Sequence, residues 1–137
     1  DWTPDEITFV QETAERTWAA VERAYTQAAL RDSEQRLSVI FAQAAVGLSE
    51  ISLDGHFEQV NDALCRMLGR SRQELLAATV PEVTHPEDVS KSLDALAQLL
   101  ATGESISLDK RYLRPDGTFF WANSILTRLD DERGQPY

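Results

Sequence analysis

Two Asp-Gly dipeptides, each set between runs that alternate apolar and polar residues, constrain this 137-residue chain more than anything else in it. The first is Asp54-Gly55, inside the stretch Val46–Val60. The second is Asp116-Gly117, inside Lys110–Leu126. Asp-Gly between alternating strands is a strong hairpin signal, because the tight turns that match strand twist need residues tolerant of positive φ. The pattern predicts strands over 47–52 and 56–60, then over 104–114 and 118–129.

Short helices fill the space between the hairpins. Asn61 can cap a helix that runs to Leu68 and is stopped by Gly69. Ser71 precedes a second short helix, Arg72 to Ala77, with Glu74 placed for a capping box. Pro81 to Thr84 reads as a connector. His85-Pro86-Glu87-Asp88 opens a longer helix to about Ala101, ended by Gly103, with Val89, Leu93, Leu96 and Leu100 on one face. Gly134 to Tyr137 reads as a turn into a further strand, where the sequence stops.

A long helix precedes all of this. Thr3 suits an N-cap, Pro4 the first helical position, and Asp5 and Glu6 the positive end of the helix dipole. No Gly or Pro follows until Gly47. Ile7, Val10, Ala14, Thr17, Val21, Ala24 and Ala28 keep a spacing of three and four. A second stripe of Leu30, Leu37, Phe41 and Ala44 is out of phase with it, which reads as a stutter. A helix from 3 to about 44 reaches on the order of 60 Å at about 1.5 Å per residue. A small domain cannot bury such a rod, so a parallel reading is a dimeric coiled coil, with Ile7, Val10, Ala14, Val21, Ala28, Leu30, Leu37 and Phe41 as its seam. The alternative is a helix that packs on its own domain.

The bulk numbers narrow the function classes. A net charge of -10 argues against nucleic acid and against an anionic membrane surface. A single cysteine, Cys65, forbids an internal disulfide and fits a reducing, cytoplasmic compartment. No apolar run approaches the roughly 20 residues that span a bilayer. The first residue is Asp, not Met, and the strand pattern is cut at Tyr137, so the chain reads as a segment of a longer protein.

Taken as a set, the two Asp-Gly hairpins, the Asn61 helix and the His85-Pro86-Glu87-Asp88 start resemble a PAS domain with its C-terminal PAC-type hairpin, over about residues 37–137. The resemblance implies an α+β fold, an antiparallel sheet whose concave face meets short helices. It also implies five strands where the sequence offers four, leaving an unpaired edge that residues outside this segment or another chain would cover. Asp1–Ile7 followed by Ala14–Ala24 resembles the last helix of a GAF domain, and Ala29–Leu37 resembles a linker leading into a PAS domain. Residues 1–36 are therefore read as a GAF-terminal and linker helix, and 37–137 as the PAS domain. The resemblance implies a bacterial sensor histidine kinase, with a GAF domain upstream and an ATP-dependent kinase core downstream.

Strand parity sorts the last strand into two faces. Phe120, Ala122, Ser124 and Leu126 share one face, which resemblance to flavin-binding PAS domains points into the cavity. Phe119, Trp121, Asn123, Ile125 and Thr127 share the other, and Trp121 and Ile125 are expected to be covered by the long helix or a second subunit. The competing reading puts Trp121 in the core. Candidate lining residues for a small ligand are Leu64, Met67, Leu68, Leu93, Leu96, Tyr112, Ala122, Ser124 and Leu126. With few convergent polar groups among them, a filled core and a relay and dimerisation role are preferred to ligand binding.

No resident cofactor is expected. The cysteine motif of light-sensing PAS domains is absent, and the flavin-contacting Asn of that subgroup falls at Ala122. Cys65 is read as a small buried hydrophobe. The haem-ligating histidine of haem-binding PAS domains falls at Ser92, while His85 and His56 stand apart without ligand spacing, so no metal is expected. Glu87 and Asp88 are read as helix-start charges, and Arg111 as a base pairing with an acid across the sheet. No catalytic motif is present. A cyclic-dinucleotide enzyme in place of the kinase is compatible with the same residues.

Overall fold

A computed structural model describes residues 1–137. The chain divides into two compact units, Asp1–Ile40 and Phe41–Tyr137.

The first unit is most of helix α1 (Pro4–Gln43). Its start is a capping box: Thr3 Oγ1 accepts from Glu6 N–H, and Glu6 accepts from the Thr3 backbone at 2.8 Å. Every side chain from Pro4 to Ile40 is exposed, including the seam positions Ile7, Val10, Ala14, Val21, Ala28, Leu30 and Leu37. Phe41, in the last turn, is half-buried and belongs to the second unit.

The second unit follows the predicted order. Strands β1 (Ser49–Ile51) and β2 (Phe57–Val60) pair antiparallel around Asp54-Gly55, with a register shift between Glu50 and Ile51. Helix α2 (Asp62–Leu68) ends at Gly69, whose φ of 65° is the left-handed cap that ordinary residues resist. Helix α3 (Arg72–Leu76) starts on the Ser71–Glu74 capping box in full. A single 3-10 turn, Pro81–Val83, leads to helix α4 (Pro86–Thr102), which His85 caps. Strands β3 (Ile106–Leu113) and β4 (Phe119–Leu126) pair in register along their whole length, Arg111 opposite Trp121 and Lys110 opposite Ala122.

The two hairpins form two separate two-stranded ladders, where one continuous sheet was expected. No strand lies between them to hydrogen-bond both. Beyond β4 the backbone turns back on itself: Asp130 bridges Pro136, and Tyr137 N–H donates to Leu129 O at 3.2 Å. That return runs antiparallel to the end of β4.

The core sits among β2, α2, α3 and the 3-10 turn. Phe57, Val60, Leu64, Leu68, Leu75, Ala78 and Val83 form one buried cluster, with Ile51, Cys65, Val80, Tyr112 and Phe120 packed against it. The apolar face assigned to α4 is displaced by one residue. Its buried stripe is Asp88, Ser92, Ala95 and Leu99, while Leu93 is 49% exposed. A polar contact decides this rotation. Asp88 is drawn in by Arg111, and Ser92 Oγ donates to Asp88 O at 3.0 Å, so both polar groups are satisfied where they are buried.

Candidate functional site

Two polar constructions stand out in the second unit, one at the end of α1 and one on the inner face of β3.

The first centres on Asn61, which is fully buried. Its Oδ1 accepts from Leu64 N–H at 3.0 Å, capping α2, and from Leu48 N–H at 2.9 Å. Its Nδ2 donates to Val46 O at 2.9 Å and to Phe41 O at 3.1 Å. One amide thus satisfies four backbone groups, among them a carbonyl of the last turn of α1. Gly47 lies in the same junction, and a Cβ there would stand 2.9 Å from Leu64 Cδ1. The sequence identified Asn61 as a cap, but nothing local in it reveals the amide's other two acceptors.

The second runs along β3. Leu108, Lys110 and Tyr112 alternate inward; Leu108 and Lys110 are buried, and Tyr112 is half-buried. Lys110 is only 4% exposed. Its ammonium donates to Thr84 Oγ1 at 3.3 Å and lies 4.6 Å from the centre of the Tyr112 ring. Thr84 Oγ1 donates in turn to Val80 O, and Tyr112 Oη shares a 2.8 Å hydrogen bond with Ser124 Oγ. Burial lowers the Lys110 pKa to about 8, opposed in part by the charge of Asp88. Burial likewise raises the Tyr112 phenol above its ordinary value, with the Ser124 bond acting the other way.

Asp88 is already engaged. It accepts from the Arg111 backbone N–H at 2.8 Å and from Arg111 Nε and Nη2 at 2.9 Å each. Those bonds hold its carboxyl well below the usual carboxylate range. Glu87 adds a contact to Arg111 Nη2 at 2.8 Å. Arg111 therefore pairs with two acids of α4, not with an acid across the sheet. Its guanidinium also stands over Trp121 at 5.1 Å and Phe119 at 5.9 Å.

The predicted site residues fall in several places. Leu64 and Leu68 lie in the core cluster. Tyr112, Ala122, Ser124 and Leu126 share the half-buried inner face of the second hairpin, and Leu96 is half-buried on α4. Met67 and Leu93 point to solvent, 39% and 49% exposed, so this structure does not bring them to that face. Trp121 and Ile125 occupy the opposite, outer face, and Trp121, 63% exposed, is not a core residue. Cys65 is half-buried against the core. His85 works as a cap, its Nδ1 accepting from Glu87 N–H, with its ring edge-on to Phe119 at 5.3 Å. His56 pairs with Asp54 at the first turn. Lys110 was missed altogether. Parity along β3 would have found it, since it lies two residues from Tyr112 on the same face.

A family model described as the PAS fold matches residues 57–137, more than half of the chain. The chain belongs to the PAS family. The probable diguanylate cyclase DgcE of Escherichia coli (strain K12) is 31% identical over 109 residues, which are 78% of this chain and 10% of that protein. The sensor histidine kinase TmoS of Ectopseudomonas mendocina is 25% identical over 109 residues, 79% of this chain and 11% of that protein. The chain thus spans about a tenth of the curated relatives it matches. Among solved structures, the PAS domain of an HTR-like protein from Haloarcula marismortui superposes with a TM-score of 0.66 at 23% identity, covering 82% of this chain and 92% of that one. PAS domains of this fold occur in sensor histidine kinases, and this one is preceded by the long helix α1. No helix of the chain is long and apolar enough to cross a membrane.

Proposed function

We propose that this PAS domain is a signal-relay and dimerisation module of a larger bacterial, cytoplasmic signalling protein, working through α1. The observation that carries the reading is the exposed three-and-four stripe of α1, from Ile7 through Val21 to Leu37. An apolar seam of that spacing is buried by a second copy of the same helix. The out-of-phase stripe from Leu30 onward allows two coiled-coil packings of similar energy, which a small rotation interconverts. Asn61 couples that rotation to the PAS core, because the same amide holds the last turn of α1 and the start of α2.

In the whole protein a GAF domain precedes α1 and a histidine kinase core follows the PAS domain. ATP and phosphotransfer then belong to the kinase part, and this segment catalyses nothing. The resemblance of residues 1–36 to a GAF-terminal helix and the likeness to TmoS support this arrangement. A second reading attaches the same module to a cyclic-dinucleotide enzyme, and the higher identity to DgcE favours it. Both outputs read dimer geometry, so the relay role is common to them.

Sedimentation equilibrium tests the seam. The chain should dimerise, and Val21→Asp or Leu37→Asp should weaken the dimer while leaving the fold intact by circular dichroism. An unchanged dimer affinity in both variants refutes a seam through these positions.

A further inference from the structure

Lys110 presents a problem of charge. An ammonium has three protons to donate, and this one finds a single oxygen, Thr84 Oγ1, at the long distance of 3.3 Å. It is buried to 4% exposure, and the nearby carboxylate, Asp88, is spent on three bonds to Arg111. A buried cation without a paired anion is costly, and natural chains keep one where something pairs with it.

The surroundings show where the partner would stand. Across the ladder from Lys110 is Ala122, the smallest side chain on the inner face of β4. Its methyl leaves open the width of a larger side chain beside the ammonium. Ala122 and Ser124 are half-buried, so this point is reached from solvent along β4. The hydroxyls of Tyr112 and Ser124 share one hydrogen bond, and between them they keep a second proton to donate. Lys110 and this pair alternate along one face: Lys110 and Tyr112 on β3, Ala122 and Ser124 on β4.

We infer that the inner face of the second hairpin binds a small monocarboxylate, its oxygens taken by the Lys110 ammonium and by the Tyr112–Ser124 hydroxyl pair, over Ala122. A carboxylate of this size carries the single negative charge that the buried ammonium lacks. Charge-assisted hydrogen bonds of this kind are the stronger class. Asp88 is the one opposing charge nearby, and Arg111 neutralises it. The inference is separate from the relay reading, since dimerisation through α1 does not depend on it.

The test uses the full 137-residue chain with sodium acetate and sodium propionate as probes. Sodium chloride holds ionic strength constant, and glycerol serves as a neutral control. Amide chemical shifts of Thr84, Lys110, Tyr112 and Ser124 are followed during titration. The expected result is a saturable shift confined to these residues for the carboxylates and none for glycerol. Lys110→Met should weaken the binding by about tenfold or more, and Ser124→Ala by less. Lys110→Met replaces a buried charge with a side chain of similar length, so it should fold. Shifts that stay linear in acetate, that glycerol reproduces, or that persist unchanged in Lys110→Met overturn the inference.

Discussion

Asp88 and Arg111 are joined three times: the carboxylate receives both the Nε and the Nη2 of the guanidinium and, in addition, the backbone N–H of the same residue. The pair ties the first turn of α4 to the edge of β3, 23 residues away in sequence. Thr84 and His85 strengthen that junction, with Thr84 bridged to Tyr112 and His85 N–H donating to Arg111 O at 2.9 Å. Because one side of the guanidinium faces Trp121 and Phe119, the same residue also orders the outer face of β4.

Asp88→Asn should lower the melting temperature at neutral pH by several degrees. An amide cannot accept two charge-assisted bonds and carries no charge for Arg111. The pH dependence follows from the sign of the shift. The folded carboxyl titrates well below the ordinary 3.8, so its stabilisation is present above that value and lost only as pH falls below it. Melting curves of wild type and variant should therefore differ by a constant amount from about pH 7 down to about pH 5 and converge only in stronger acid. A gap that closes already between those two values contradicts the assignment.

Local chemistry made much of the fold legible. The two Asp-Gly turns, the Asn61 and Ser71 caps and the stop at Gly69 each depend on residues a few positions apart, and each sits where the sequence put it. The rotation of α4 was not legible, because apolar spacing favoured Leu93 whereas the distant Arg111 pulls Asp88 inward. Lys110 was hidden for a related reason. A lysine on an alternating strand reads as solvent-facing, and only the parity of Leu108 and Tyr112 places it inside. The division into two ladders depends on tertiary pairing, which no hairpin signal encodes.

Asn61→Ala should be among the more damaging single substitutions in the second unit. It removes an N-cap and leaves Leu48 N–H, Val46 O and Phe41 O without their partner. Loss of the cap costs about 1 kcal/mol, and each buried orphan adds about 1 kcal/mol or more where water cannot reach it. Urea denaturation should show a loss of roughly 2–4 kcal/mol. Asn61→Asp keeps the acceptor for Leu64 and Leu48 but not the donors, so it should fall between. Equal stability of Asn61→Ala and wild type would show that the junction with α1 does not depend on this amide.

Gly47→Ala probes the same junction by volume. The added methyl would meet Leu64 Cδ1 at 2.9 Å and Leu64 Cα at 3.3 Å. The side-chain contact can be relieved by a rotamer change, but Leu64 is buried in the core cluster and the Cα cannot swing away. Overpacking of this kind typically costs about 1–3 kcal/mol. Chemical denaturation should register a loss in that range, and a neutral result would mean that the 44–48 segment shifts freely against α2.

Lys110→Met should stabilise the chain in the absence of any added anion, against the usual direction for a change at a buried position. The folded pKa of about 8 lies below the ordinary 10.5, so the charged form is disfavoured on folding. Below about pH 8 both folded and unfolded chains carry the proton, and the full cost of burying it is present. Between there and 10.5 the unfolded chain holds a proton that the folded one has released, so stability rises with pH. The full span corresponds to on the order of 3 kcal/mol. Asp88 is the charged group that acts on this ammonium, and it stays ionised throughout. Tyr112 sets the upper limit of the experiment: its raised pKa means that stability is lost once the unfolded phenol ionises near 10. Melting temperatures taken from about pH 7 to about pH 9.5 should therefore climb for wild type relative to Lys110→Met, and the advantage of the variant should shrink over the same interval. If the difference between the two proteins is flat across that range, the ammonium is not buried as a charge, and the anion site inferred around it goes with it.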